Sequence, residues 1–542
     1  MPQSLSSLFP FPGAPSRKST DRVVRQPMTN DGAKHRAMAH HRERLSISRR
    51  QVILAAITLA AAILRLTHLG TESFWIDEVS QAKAASLMGE LGWRAVASRE
   101  NVSPLSHVIL WVLQGMFGYS ETVARLPSAI AGILLVPVTY SLGRRLASHR
   151  VGLIAALLVA INPYGLWYSR DARMYALLSL WCAVYLLCLL NLLRDPGRRW
   201  AIVLALVSCI GLYIHEYFIF ALVGSIGYVL VTRFRSNRLL VYRLLLAGGI
   251  ALAAFVPWIL AMSSYNPGAA GVARSGILLF APYTLLTFLI GFNFGPSVRE
   301  MQIEGAATAM RHELGLVVVP VLALVVVAGA LFFSLRARIR SRKPETDGIY
   351  LLTISTAVMI IGPVVIAAVS SRINFHVRYC AGALAPAIIL CVIAIDDMRH
   401  RNFARILAAV LVVIMLVASY RVLWPGTRYA REDLRGVSHY LSSRTAAGPL
   451  LVESFTVVQG LRWYGFNGQL TEVWNPFDSS VSAVVNGSYV NGDEVSVVQA
   501  RQWETDPKNA VVGLLLSAGF KLESNREFAS AAVSHFVYSK SH

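Results

Sequence analysis

Two adjacent carboxylates, Asp77 and Glu78, follow closely after the first long apolar segment of the sequence. Phe74 and Trp75 precede them, and aromatic residues are enriched where a membrane meets water. A carboxylate in a partly dry cleft can take a proton from a hydroxyl group, and paired carboxylates can also hold a divalent cation. The pattern therefore predicts general-base chemistry or a metal site, with the solvated start of a loop as the alternative.

A second polar group, residues 169–173, separates two apolar segments. Asp171 is a further acidic candidate within it. Arg173 and the nearby Tyr175 are candidates for binding a phosphate, because a planar guanidinium group matches phosphate oxygens. The plain alternative is a salt bridge between Asp171 and one arginine at a helix end.

Two more polar pairs interrupt the apolar sequence. His215 and Glu216 separate two apolar segments, where they form either part of a binding site or a polar hinge. Arg378 and Tyr379 begin a later segment, and a buried arginine needs an anionic partner there. Neither Arg378 nor Arg173 has an obvious counter-ion in the protein, so we expect a lipid phosphate to be that partner.

The composition indicates a membrane protein that must position these groups. The chain has 542 residues, of which 55% are hydrophobic and 15% charged, too few charges to cover a soluble protein of this size. The net charge of +21 comes from Lys and Arg in the N-terminal tail and in short loops. This placement follows the positive-inside rule and argues against nucleic acid as a partner.

Apolar segments of roughly 17–22 residues, the length that crosses a bilayer, recur along the chain. With the shorter ones included, they lie at about 51–68, 104–118, 126–143, 151–168, 173–193, 200–214, 217–232, 240–262, 277–293, 314–334, 349–370, 378–395 and 403–424.

The distribution of arginine selects among the possible topologies. If segments 104–118 and 277–293 are partial or interfacial, the basic loops 144–150, 194–199 and 233–238 all lie in the cytoplasm. We therefore expect eleven full spans, with thirteen as the alternative. The acidic and basic candidates then share the non-cytoplasmic face.

The sequence divides into three regions. Residues 1–48 are rich in Pro, Ser and Arg and are expected to form a disordered cytoplasmic tail. Residues 49–424 form the transmembrane domain, with a long outer loop at 69–125. Residues 425–542 are expected to form a small α/β domain outside the cytoplasm, and the membrane is expected to be the plasma membrane.

Within this C-terminal region, short helical and strand patterns alternate. Pro507 suits a first helical turn and Gly519 suits a helix end. The expected helices are 431–444, 456–464 and 507–518, and the expected strands are 449–453, 495–500 and further strands within 520–538.

The order of these motifs resembles the multispanning lipid-linked glycosyltransferases of the GT-C type. The likeness is to the branch with rhizobial lipopolysaccharide-core transferases, aminoarabinose transferase and protein O-mannosyltransferases, and it covers roughly residues 51–465. Relatives more often have Glu in place of Asp171, and many lack a counterpart of Glu216. The matching motifs are Phe74-Trp75-x-Asp77-Glu78, residues 124–128, 168–175, 215–217, 378–379 and 431–435.

The resemblance implies an enzyme that moves one sugar from a polyprenyl-phosphate carrier to a glycan, lipid or protein acceptor, with inversion. Asp77 would take the proton of the acceptor hydroxyl, and Glu78 or Asp171 would orient the acceptor or a divalent cation. The leaving lipid phosphate would be held by side chains at the starts of outer helices, namely Arg173, Arg378 and Tyr379.

Two other classes of function stay open. A transporter or flippase would move a lipid or sugar-lipid without covalent chemistry, and it favours ionisable residues at mid-membrane depth. A signalling or structural membrane protein with an outer sensor domain leaves the acidic pairs unexplained. The clustering of charges at one interface favours the enzyme.

Overall fold

The computed structural model describes residues 48–99, 103–262, 277–341, 346–370, 373–444 and 448–539. The tail expected at 1–48 lies almost wholly outside these residues. The helical region consists of α1 Arg49–Leu66, α2 Ile76–Arg99, α3 Leu105–Phe117, α4 Glu121–Leu146, α5 His149–Ala160, α6 Pro163–Ser169, α7 Tyr175–Arg194, α8 Arg198–Ile214, α9 Ile219–Arg233, α10 Arg238–Met262, α11 Phe280–Ile290, α12 Val298–Ile303, α13 Ala306–His312, α14 Leu314–Ser341, α15 Asp347–Val369, α16 Leu384–Asp396, α17 Arg401–Leu423 and α18 Gly426–Tyr429. Short 3-10 helices at Glu216–Phe218 and Val377–Ala383 lead into α9 and α16.

The predicted multispanning helical fold is confirmed, with fewer clear spans than expected. Within the described ranges, eight helices are long and apolar enough to cross a membrane, or nine if the bent pair α5 and α6 forms one span. The expected eleven also included α1, which carries arginines at both ends, and α8, which has only 17 residues. The two segments expected to be partial form helices of 13 and 11 residues. At 1.5 Å per residue they are only about 20 and 17 Å long.

The break between α5 and α6 positions one of the polar groups. The two helices meet at a bend of 57°. Asn162 caps α6 by accepting a backbone N–H at 2.7 Å, and Pro163 stands in its first turn, where its missing N–H costs nothing. Arg65 of α1 donates to carbonyl oxygens at the end of α5 at 2.9 and 3.1 Å. The bend thereby sets the place of the turn 170–174.

The C-terminal region folds around one mixed five-stranded sheet with strand order β2-β1-β3-β5-β4. Strand β1 pairs in parallel with β2 and β3, whereas β5 pairs antiparallel with β3 and β4. Its elements are α19 Leu434–Ser443, β1 Leu450–Glu453, α20 Phe455–Trp463, β2 Thr471–Val473, α21 Ser479–Val485, β3 Glu494–Gln499, α22 Ala510–Ser517, β4 Phe520–Phe528 and β5 Ala531–Tyr538.

Both faces of the parallel strands β1 and β3 are covered, as parallel strands require. Val452 and Val498 pack into one hydrophobic cluster, and Leu451 and Val497 pack into another on the opposite face. The expected α/β domain is therefore confirmed. Strand β2 and helix α21 were not predicted, because segments of three and seven residues are too short for a periodic pattern.

The start of α2 is held between the helical region and the C-terminal domain. Phe74 and Val79 pack in one cluster with Trp463 and Tyr464. The Phe74 backbone N–H donates to the Tyr464 hydroxyl at 2.6 Å, and the Ser73 hydroxyl donates to a backbone carbonyl of the C-terminal region at 2.7 Å. These contacts place Asp77 and Glu78 in the first turn of a fixed helix.

Candidate active site

A cavity of about 480 Å³ lies between the helical region and the C-terminal domain. Asp77 and Arg378, which are 301 positions apart in the sequence, both line it. The other lining residues include aromatic and basic side chains, among them Trp75, Trp167, Trp503, Arg299, Arg428, Arg431 and Arg501. The cavity thus combines the predicted base Asp77, and the further carboxylates Glu432 and Glu504, with cations and flat apolar surfaces.

Asp77 and Arg378 form a direct ion pair at the cavity wall, with side chains 26% and 18% exposed. The expectation that Arg378 lacks a counter-ion in the protein is therefore wrong. Burial raises the pKa of Asp77, but the guanidinium groups of Arg378 and Arg173 outweigh it and lower the pKa to about 2. In this state Asp77 is an ionised carboxylate and a weak base.

Arg378 is held in place by aromatic rings. Its guanidinium carbon lies 5.6 Å from the Tyr175 ring centre and 5.8 Å from that of Tyr379, within cation–π range. Tyr379 also stacks on Tyr217 at 4.5 Å. Tyr175 and Tyr379 thus support the Arg378 side chain, and neither is among the described lining residues of the cavity.

Glu78 is fully buried and saturated with hydrogen bonds. Arg125 donates to it at 2.7 and 2.8 Å, and Arg431 of the C-terminal region donates at 3.0 Å. The backbone N–H groups of Ala172 and Trp75 donate at 2.7 and 3.3 Å. This carboxylate joins three separate parts of the chain, and its position is that of a structural anchor.

The donors around Glu78 also bear on the expected cation. Burial raises the pKa of the Glu78 carboxyl group, but the positive charges of Arg125 and Arg431 outweigh burial and lower this pKa to about 2. Its oxygens already face cationic donors, and the Asp77 carboxylate faces Arg378. Among the described residues, no three His, Cys, Asp or Glu side chains come together as metal ligands would. Asp77 and Glu78 therefore do not fit a shared metal ion.

Asp171 is buried directly behind the cavity wall. One oxygen accepts from the Trp75 indole N–H at 3.1 Å, and the other has no hydrogen-bond partner among the described residues. Burial raises its pKa, and the Glu78 carboxylate adds to this effect against the opposing charge of Arg431, giving a pKa of about 7. The alternative interpretation of Asp171, a salt bridge to a neighbouring arginine, is therefore not what the described residues show; its hydrogen bond instead orients Trp75.

Arg173 lies under the Asp77 backbone, away from the described lining of the cavity. It donates to the Asp77 carbonyl oxygen at 3.2 Å and to the Gln81 side chain at 3.4 Å. The structure therefore separates the two arginines that the sequence grouped together. Arg378 reaches the cavity, whereas Arg173 contacts the helix that carries Asp77.

His215 and Glu216 form a second polar cluster behind the tyrosines. His215 is buried, and its Nδ1 lies 3.3 Å from the Glu216 carboxylate, which also accepts from Ser103 at 3.1 Å. The His215 ring lies 5.6 Å from the Tyr175 ring. This pair contacts the supports of Arg378 and is not among the described lining residues of the cavity.

Several lining residues were not singled out from the sequence. Arg431 lies in motif 431–435, which belongs to the resemblance described above, so the sequence did contain a signal for this residue. In the structure its guanidinium carbon lies 4.7 Å from the centre of the Trp167 ring. Arg501 and Trp503 come from a 3-10 turn in the C-terminal domain that matches no quoted motif. Arg501 pairs with Glu432 at 3.3 Å at the same wall.

Known proteins share this fold. ArnT from Cupriavidus metallidurans in the apo state is 15% identical, with a TM-score of 0.55 over 89% of this chain and 97% of that chain. The same protein bound to undecaprenyl phosphate is 16% identical, with a TM-score of 0.53 over the same shares. The apo oligosaccharyltransferase of Archaeoglobus fulgidus is 11% identical, with a TM-score of 0.54 over 88% of this chain and 73% of that chain.

Sequence comparison gives one family. No curated protein sequence matches the chain. Residues 101–260, from helix α3 to helix α10, match the family described as dolichyl-phosphate-mannose-protein mannosyltransferase. The predicted resemblance to GT-C enzymes is thus confirmed: residues 101–260 are similar to this mannosyltransferase family, and the chain has the fold of ArnT.

Proposed function

We propose that the protein transfers one sugar from a polyprenyl-phosphate carrier to an acceptor hydroxyl on the non-cytoplasmic face of the plasma membrane, with inversion at the anomeric carbon. The observation that carries this proposal is the cavity in which Asp77 and Arg378 meet. It supplies a carboxylate for a proton and a cation for a phosphate at one place.

The carrier phosphate binds Arg378 in this proposal. The solved structure of ArnT with undecaprenyl phosphate supports a polyprenyl carrier for this fold. A guanidinium group held between two tyrosine rings is pre-organised, so little conformational entropy is lost when it binds a phosphate. The membrane helices provide the apolar surroundings that an isoprenoid chain needs.

The transfer step is a direct displacement. The acceptor oxygen forms a bond to the anomeric carbon, the bond from that carbon to the phosphate oxygen breaks, and the acceptor proton passes to the Asp77 carboxylate. Negative charge builds up on the leaving lipid phosphate, and Arg378 stabilises it. Attack from the face opposite the phosphate inverts the configuration.

Donor binding also activates the base in this scheme. A phosphate bound at Arg378 neutralises part of the guanidinium charge. The pKa of Asp77 therefore rises from about 2 towards its ordinary value. Asp77 then becomes a better proton acceptor only when the donor is present. Such coupling limits unproductive chemistry in the empty cavity.

In this proposal the remaining predicted residues act by positioning Asp77 and Arg378. Glu78 fixes the first turn of α2, Asp171 orients Trp75, and Arg173 holds the Asp77 backbone. Tyr175 and Tyr379 support Arg378, with His215 and Glu216 packed behind them.

Analysis of cells with and without the gene tests this function. Without the protein, the lipid-linked sugar donor should accumulate on the outer face, and one sugar should be missing from an envelope product. An unchanged product together with a lipid-linked sugar trapped on the cytoplasmic face would support a flippase instead.

A further inference from the structure

The carboxyl ends of three parallel strands meet at one edge of the C-terminal sheet. Strands β2, β1 and β3 are neighbours and run in the same direction. In open α/β sheets, ligands bind just outside such ends. The side chains found there form what we call the strand-end surface, consisting of Ser454, Phe455, Trp474, Arg501, Trp503 and Glu504.

One part of the strand-end surface is aromatic. Phe455 and Trp474 stack with ring centres 5.0 Å apart and an angle of 17° between their planes. Trp474 is 61% exposed and Phe455 is 37% exposed, so the flat face of the pair is open to solvent. A pyranose ring has an apolar C–H face that packs on such a surface, while its hydroxyl groups stay in water.

The other part is polar and held in a costly conformation. Glu504 accepts hydrogen bonds from Ser454 at 2.8 Å and from Arg501 at 2.7 Å. Ser454 and Arg501 have φ angles of +90° and +55°, which residues other than glycine rarely adopt. Strain of this kind is concentrated at functional sites. Carboxylate and guanidinium groups are suitable partners for sugar hydroxyls.

The strand-end surface continues into the cavity. Arg501, Trp503 and Glu504 belong to both. A hydrogen bond from the Ser454 hydroxyl to the Glu504 carboxylate connects the cavity wall with the neighbouring aromatic pair. An unbroken path of aromatic and polar side chains therefore leads from Asp77 to Trp474.

We propose that the strand-end surface binds the acceptor and that this acceptor is a glycan of several sugar units. The assignment rests on the proposed function, because it extends from the hydroxyl that Asp77 would activate. A peptide acceptor bound here would be expected to pair with the strand edge at this surface, but that edge strand, β2, has only three residues. The longer edge strand, β4, lies on the opposite side of the sheet. Stacked open rings beside a carboxylate match a sugar chain better.

The test compares variants of the full-length protein in detergent, with delipidated envelope oligosaccharide from cells that lack the gene as the probe. Trp474→Ala should raise KM for this oligosaccharide about tenfold and leave kcat nearly unchanged, because the reacting groups stay in place. Trp474→Phe should restore most of the affinity. Leu522→Ala is the matched control, since Leu522 is 53% exposed on β4 at the far edge of the sheet.

Binding of the same oligosaccharide, measured by isothermal titration calorimetry, separates the two proposals. If the wild type binds the oligosaccharide but transfers no sugar, and Trp474→Ala no longer binds it, the strand-end surface is supported and the proposed transfer function is refuted. If the wild type transfers sugar while KM and binding are the same in Trp474→Ala, the strand-end surface is refuted. Transfer to a peptide or to a sugar-free lipid, insensitive to Trp474, also refutes it.

Discussion

At the scale of single residues, the cavity depends on charges that balance one another. Asp77 is paired with Arg378, whereas Glu78 next to it is paired with Arg125 and Arg431. Two adjacent carboxylates thus lie in different surroundings because their partners differ. One is partly exposed in a cavity and the other is locked between buried cations.

The pH dependence of catalysis should reveal the pairing of Asp77 with Arg378. In the proposed mechanism deprotonated Asp77 is the active form, and its pKa of about 2 keeps it ionised throughout the usual pH range. In Arg378→Gln this pKa rises, so we expect the acidic limb of kcat/KM to move up by about one pH unit or more. Donor affinity should fall by about 1.5–3 kcal/mol, with partial recovery in Arg378→Lys.

The control for this pH profile is Arg435→Gln. Arg435 pairs with Glu121 at 3.0 Å, outside the described lining of the cavity. Its removal should leave the acidic limb where it is in the wild type. An unshifted limb in Arg378→Gln, with unchanged dependence on the donor, would argue against Arg378 as the phosphate ligand.

Glu78 should matter chiefly for stability. Glu78→Gln leaves the charges of Arg125 and Arg431 buried without a counter-ion, which should cost about 3–5 kcal/mol and lower the melting temperature in detergent. Since folding lowers its pKa from 4.5 to about 2, its stabilising effect is complete above pH 4.5 and is lost as the pH falls towards 2. Exposed Glu90, also in α2, provides the control variant Glu90→Gln. Equal melting of both variants would speak against an anchoring role.

At the scale of elements, helix ends position the reactive groups. Asp77 and Glu78 lie in the first turn of α2, where the helix dipole favours acidic side chains. Asp171 lies in the turn between α6 and α7, which the bend between α5 and α6 sets in place. The cavity is therefore built largely from helix ends, and a small change in one helix can displace the side chains that these ends carry.

Arg65 provides a test of this arrangement. Its guanidinium group is fully buried and donates to two carbonyl oxygens at the end of α5 and to Ser169. Arg65→Met keeps the length and apolar stem but leaves these acceptors unpaired, so we expect a loss of about 1.5–3 kcal/mol in stability. Thermal unfolding in detergent measures it, and Arg49→Met, at an exposed position of the same helix, is the control. Wild-type melting of Arg65→Met would exclude a capping function.

The sequence revealed the elements whose signals are local. Long apolar segments marked the membrane helices, and Asp77 and Arg378 were visible as polar residues beside them. The pairing of Glu78 with Arg431 was not visible, because 353 positions separate the two side chains. Arg501 and Trp503 were missed for the same reason, since only the packing of the C-terminal domain brings them to the cavity.

At the scale of the whole molecule, the proposal requires the cavity to open on the non-cytoplasmic face. The positive-inside rule supports this orientation, because basic residues gather in the loops expected in the cytoplasm. The C-terminal domain must then lie outside, since it forms part of the cavity wall. Function and topology are thus linked.

Single-cysteine labelling tests this orientation in a background without the five native cysteines. We expect a membrane-impermeant reagent, added to intact cells, to modify Ser488→Cys in the C-terminal domain but not Ser236→Cys in the loop between α9 and α10. Both positions are exposed on the protein, so access depends on the side of the membrane. Labelling at position 236 from outside would overturn the topology.

The central claim is that Asp77 is the base for sugar transfer. The most direct measurement is the turnover of purified Asp77→Asn, with lipid-linked sugar and envelope glycan from cells that lack the gene, and with a chelator tested in parallel. This variant keeps the shape but removes the basicity, so it should melt like the wild type yet transfer sugar about 10²–10⁴-fold more slowly. Asp77→Glu should be nearly as slow, because one extra methylene displaces the carboxylate. Near-wild-type transfer by Asp77→Asn would contradict the account and direct attention to Asp171 and Glu216.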